Sequence, residues 1–130
     1  MIVVDASAVA DVLLRVPTAD AIANRLFQSG ETLHAPHLLD LEVTHVLRRH
    51  AARRQAEPAR CREALDDLVR VRLFRHPHNM LLPRIWELRN NLSAYDAAYI
   101  ALAEMLGAPL LTRDQRLAGS TGHGARIDLV

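Results

Sequence analysis

The sequence predicts an α/β protein: a three-layer α/β/α domain around a central parallel sheet of four or five strands. Three observations carry this. Short apolar runs alternate with helical segments along the whole chain. Several runs are continuously apolar, as strands covered on both faces require. No run approaches the length needed to cross a bilayer.

In order, Ile2-Val3-Val4-Asp5 reads as a buried strand and 7–15 as a short helix with Val9, Val12 and Leu13 on one face. Pro17 and Thr18 separate it from a second helix over 19–29, which Gly30 stops. A strand is expected at 32–35, ending before Pro36. A long helix follows at 37–54, then another at 58–71 with Pro58 in its first turn. A strand at 72–75, a helix at 79–89 and a helix at 94–106 closed by Gly107 come next. Strands at 109–112 and, weakly, 125–129 complete the pattern, with a glycine-rich loop between them.

Composition excludes several classes. At 130 residues the chain suits one domain, residues 1–130, and half of it is hydrophobic. The single cysteine, Cys61, allows no internal disulfide, so a cytoplasmic protein is expected. Asp5 interrupts the first apolar stretch, which has no charged segment before it, so this is not a signal peptide. A net charge of +1 argues against nucleic-acid binding by charge alone, although all the basic residues are arginine. Seven histidines include pairs straddling Pro36 and Pro77, but none sits at structural zinc spacing. They read as boundary or loop residues. No serine occupies a nucleophile elbow.

Four acids stand out. Asp5 and Asp114 fall at the carboxyl ends of predicted strands, where parallel α/β sheets bind ligands. Glu42 lies mid-helix with Leu38, Leu39 and Val46 three or four residues away, so it faces the body of the protein or its edge. Asp96 shares a helix face with Tyr99 and Ile100. Each has an ordinary explanation: helix caps for Asp5 and Asp114, a boundary glutamate for Glu42, and a capping box with Ser93 for Asp96. Together they form a set of carboxylates that repel one another unless cations hold them. Oxygen ligands suit Mg2+, with Mn2+ as substitute, and such ions serve phosphate chemistry. Ser7 and Thr112 are placed to support the carboxylates by hydrogen bonds. Arg113 and Arg116 flank Asp114 and are candidate phosphate contacts. Arg48, Arg49, Arg53 and Arg54 crowd the end of the long helix, where they read first as a solvated face complementing the helix dipole and otherwise as contacts for RNA phosphates or an antitoxin's acids.

These segments resemble the PIN-domain family, most closely the VapC-type toxin ribonucleases of bacterial toxin–antitoxin pairs. Val3-Val4-Asp5-Ala6-Ser7-Ala8, Leu41-Glu42-Val43, Tyr95-Asp96-Ala97-Ala98-Tyr99 and Leu111-Thr112-Arg113-Asp114 carry the likeness. The resemblance implies that Asp5, Glu42, Asp96 and Asp114 are catalytic metal ligands, with Ser7 and Thr112 in support. Asp40 is the one close rival to Glu42. The resemblance further implies cleavage of RNA, inhibition by a VapB-type antitoxin, and a homodimer. The alternative is a PIN-like scaffold that grips RNA or protein without cutting. A receiver-type α/β domain also gathers acids at strand ends, but it needs a lysine that this chain lacks.

Overall fold

A computed structural model describes residues 1–130. The chain runs β1 (Ile2–Val4), α1 (Ala6–Leu13), α2 (Asp20–Leu26), β2 (Leu33–Pro36), α3 (Leu38–Ala52), α4 (Pro58–Arg70), β3 (Leu73–His76), α5 (Leu82–Glu87), α6 (Ala94–Leu106), β4 (Leu110–Thr112), α7 (Gln115–Ala118) and β5 (Ile127–Leu129). The five strands form one sheet in the order β3-β2-β1-β4-β5, and every neighbouring pair is parallel. Helices cover it in a three-layer α/β/α arrangement, with α1 packed against α3 and α4, and α6 lying on β1, β2 and β4.

β1 is central because Ile2, Val3 and Val4 are completely buried and offer apolar surface to both layers. From β1 the chain first builds outward through β2 and β3, then returns to the other side of β1 for β4. The order reverses between β1 and β4, and a crevice opens there at the carboxyl ends of the strands. Val4 pairs with Leu111, so the residues that follow these strands emerge side by side.

Several boundaries differ from expectation for local reasons. Asp5 does not continue β1 but caps α1, accepting the N–H groups of Ser7 and Ala8. β2 includes Pro36, which lies beyond the last residue of β1, so no ladder bond is asked of its missing N–H on that side. The expected helix over 79–89 is helical only over Leu82–Glu87, with turns on either side. α6 keeps its expected limits. Ser93 accepts the Asp96 N–H at its start, and Gly107 ends it at φ 60°, a left-handed conformation that glycine adopts without penalty.

Four histidines gather where β2 and β3 end. His34, buried and stacked on Phe74, forms a 2.9 Å hydrogen bond through Nδ1 to Nε2 of His76. Its Nε2 is 3.0 Å from the Thr32 hydroxyl. Only one proton fits between the two rings, and burial lowers the pKa of both. A depressed imidazole pKa gives stability that is present above the ordinary value of about 6.5 and is lost as pH falls through the folded-state value. Thermal melts between pH 7.5 and 5 should therefore show a falling Tm across the imidazole range. His76→Gln, which keeps a hydrogen-bonding partner for His34, should flatten that slope; an unchanged slope would exclude the pair as its source.

Candidate active site

Asp5, Glu42, Asp96 and Asp114 line one open pocket of about 650 Å³ at the switch between β1 and β4. They arrive on four separate elements. Asp5 is the N-cap of α1, Glu42 lies on α3, Asp96 is in the first turn of α6, and Asp114 is the N-cap of α7. Capping and membership of the pocket coincide at Asp5 and Asp114, because a strand that ends at a helix start points the cap residue into the crevice.

Asp5 is the deepest. Its Oδ1 accepts the Ser7 hydroxyl at 2.6 Å as well as the two backbone N–H groups, and its Oδ2 accepts the Thr112 hydroxyl. Those hydroxyls are themselves acceptors. Ser7 Oγ takes the N–H of Arg113 at 3.0 Å, and Thr112 Oγ1 takes the N–H of Asp114 at 2.9 Å. Ser7 and Thr112 thus fasten the β4–α7 turn to a carboxylate more than a hundred residues away. Burial still outweighs these bonds and raises the Asp5 pKa.

Glu42 is held by the Tyr99 hydroxyl, which donates to Oε2 at 2.6 Å. Its pKa is raised, first by burial and then by the charges of Asp5 and Asp96. The phenol of Tyr99 is raised strongly, by burial and by the Glu42 charge, so it remains a donor. Asp40 points elsewhere: Arg75 grips both its oxygens, at 2.7 and 2.9 Å. Two residues apart on one helix, the acids stand roughly 200° around it from one another.

Asp96 and Asp114 share a cation from within the chain. The Arg116 guanidinium reaches Asp96 Oδ2 at 3.0 Å and Asp114 Oδ2 at 3.2 Å. Asp114 Oδ1 meanwhile accepts the N–H groups of Arg116 and Leu117. The half of a capping box expected between Asp96 and Ser93 is absent on the carboxylate side, because that carboxylate turns to Arg116 instead. Arg113, expected beside Arg116 as a phosphate contact, is held by Asp11 at 2.6 Å and Thr18 at 3.0 Å and does not line the pocket.

The donor set suits a hard divalent ion, since every candidate ligand atom is a carboxylate oxygen, and Glu42 Oε1 and Asp96 Oδ1 accept no hydrogen bond from the chain. No three ligand-type side chains yet stand within the grasp of one ion. Loading an ion would require side-chain rotation, and Arg116 holds two of the acids in place.

The pocket also contains residues that sequence reasoning did not assign to it. His45 and Arg49 line it from α3, and Tyr95 and Leu41 form an exposed rim. The signal was present for the first two: 42, 45 and 49 are three and seven apart and fall on one helical face. The sequence places Arg49 in the crowded group at the helix end without singling it out for the pocket. Cys61 is buried and remote from the pocket.

Residues 2–119 match the PIN domain family. Ribonuclease VapC9 of Mycobacterium tuberculosis is 48% identical over 118 residues, covering 91% of this chain and 89% of the relative. Ribonuclease VapC12 of the same species is 40% identical over 130 residues, covering 100% of this chain and 99% of the relative. Among solved structures, PAE2754 of Pyrobaculum aerophilum superposes with a TM-score of 0.68 at 26% identity, covering 97% of this chain and 82% of that one. The Mycobacterium tuberculosis toxin VapC20, described as cleaving the sarcin-ricin loop, shares the fold with a TM-score of 0.65 at 18% identity, covering 93% of this chain and 97% of that one. By its family match and by relatives aligned over nearly its whole length, the chain belongs to the PIN-domain family and, within it, to the VapC ribonucleases.

Proposed function

We propose that this ribonuclease is a toxin that cleaves RNA phosphodiester bonds with Mg2+ or Mn2+ held by Asp5, Glu42, Asp96 and Asp114. The observation that carries the reading is the convergence of these four acids, from four elements, on one pocket at the topological switch of the sheet. When bound, a divalent ion supplies positive charge to the phosphoryl oxygens and acidifies a water molecule. Asp5, fixed by Ser7 and Thr112, is the rigid ligand. Tyr99 orients Glu42 and leaves its Oε1 free to coordinate. Asp96 and Asp114 complete the set from the open side. Arg49, on the pocket wall, can meet a phosphate there. A non-cleaving scaffold would have no use for carboxylates that burial and mutual repulsion both disfavour.

Two surfaces support partners. Trp86 is 67% exposed with Arg89 stacked over it, and Leu82, Met80 and Tyr95 are exposed nearby in sequence. This is the proposed homodimer face. Leu88, just past the end of α5, is buried in the core and takes no part in it. On the other side Phe27 is 59% exposed and lines two adjoining hollows, one of them wholly apolar and walled by Val12, Leu13 and Val71. It fits the apolar face of an amphipathic helix from a VapB-type antitoxin. Leu26 lines both hollows beside Phe27 but is only 3% exposed and belongs to the core.

Asp96→Asn should fold and lose RNA cleavage by more than the ~10–100-fold typical of disturbing a ligand's supporting partner. EDTA should abolish wild-type cleavage, and Mn2+ should restore it. In the same assays Asp5→Asn should also be inactive, yet its melting temperature in EDTA at pH 8 should exceed wild type, because a buried charge has gone. Cleavage at the wild-type rate by folded Asp96→Asn would remove the assignment.

Trp86→Glu should convert a dimer to a monomer in light scattering at micromolar concentration; a wild-type chain that is already monomeric would exclude the interface. Phe27→Glu should weaken antitoxin binding by about tenfold or more while leaving RNA cleavage intact. Undiminished binding would place the antitoxin elsewhere.

A further inference from the structure

We propose that Arg116 is a resident counter-ion of the acidic pocket, which a divalent cation displaces and which then serves the substrate phosphate. The inference rests on the metal reading above and adds a competitor to it.

The geometry begins with Asp114. Its Oδ1 is committed to the first N–H groups of α7, so Oδ2 is the oxygen it can offer to an ion. Arg116 occupies that oxygen and at the same time reaches across to Oδ2 of Asp96 on α6. One guanidinium nitrogen, Nη2, therefore bridges the two acids on the open side of the pocket. The other two acids are served differently: neutral hydroxyls hold Asp5 and Glu42. Arg116 is the one cationic side chain in ion-pair contact with any of the four.

Its placement suits a replaceable ion. The Arg116 side chain is 72% exposed, whereas those of Asp96 and Asp114 are 18% and 34% exposed. Solvent-exposed pairs are weak and screened by salt, so the arginine leaves at little cost. A divalent ion carries twice the charge in a far smaller volume and takes carboxylate oxygens more strongly. Once released, the guanidinium stays on the short α7 turn at the pocket rim, because backbone hydrogen bonds to Asp114 fix that turn. There it is a positioning residue for a phosphate bound at the acids. This also explains how Arg116 can be both an acid partner and the phosphate contact that its position beside Asp114 first indicated.

The test is Mn2+ binding to the full chain by calorimetry, at low and high salt, for wild type, Arg116→Gln, Arg116→Lys and Arg62→Gln. Arg62 sits on α4 and pairs only with Asp66, so its variant controls for net charge. Arg116→Gln should bind Mn2+ about three- to tenfold more tightly than wild type at low salt, the range expected from losing two exposed ion pairs. The gap should narrow at high salt. Arg116→Lys, which keeps the charge but not the guanidinium, should fall between, and Arg62→Gln should match wild type within twofold. In cleavage assays at saturating Mn2+, Arg116→Gln should raise KM for RNA more than it lowers kcat. Equal or weaker Mn2+ binding by Arg116→Gln would overturn the proposal while leaving the metal reading standing. Equal tightening in Arg62→Gln would reduce the effect to net charge and also overturn it. Failure of every protein to bind Mn2+ would overturn both.

Discussion

Asp5 is a carboxylate at the end of the central strand, shut away from solvent and tied by hydrogen bonds to both neighbours of the crevice. Desolvation of such a group is unfavourable, and the surrounding chain is arranged to limit the cost. Ser7 and Thr112 each donate to it, and each uses its remaining lone pair to accept a backbone N–H from the β4–α7 turn. One acid therefore fixes the junction of β1 with α1 and the junction of β4 with α7 together. The position of Asp114 depends on that junction, and the position of Arg116 depends on Asp114. The parallel pairing of β1 with β4 brings the two junctions to the same end of the sheet.

The outer acids are held more loosely, and by different means. Tyr99 reaches Glu42 from α6, and Arg116 reaches Asp96 from α7, so each carboxylate is anchored by an element other than its own. Asp5 and Glu42 are met only by neutral hydroxyls and backbone N–H groups, whereas Asp96 and Asp114 share the charge of Arg116.

How much of this the sequence revealed follows from the length of each signal. α6 was legible to the residue, because Ser93 and Gly107 mark its ends and its apolar run is long. The strands are only three or four residues long, so their limits blur into the caps beside them; Asp5 reads both as a strand end and as a helix cap, and the structure keeps only the cap. α7, at four residues, is too short to leave a periodic pattern. The four acids were visible singly and their shared pocket was foreseeable from strand ends. Of their partners, Ser7 and Thr112 were legible beside the acids, and Tyr99 was not. Tyr99 lies 57 residues from Glu42, and nothing local to either predicts the bond. Leu26 is buried beside an exposed Phe27, and Leu88 beside an exposed Trp86, because burial depends on what packs against a helix from elsewhere in the chain.

The central position of β1 has a consequence for how the protein comes into being. β1 needs partners on both sides, and one of them, β4, begins only at Leu110, so it leaves the ribosome long after β1. An emerging chain that already contains Asp5, Glu42 and Asp96 still lacks Thr112, the fourth acid and half of the central pairing. Contacts between such distant segments carry a large loop-closure cost and form late. The pocket is therefore completed only after β4 and the turn that follows it have been made. A growing polypeptide that stops short of them carries no assembled acidic pocket beside the RNA-rich machine that is synthesising it.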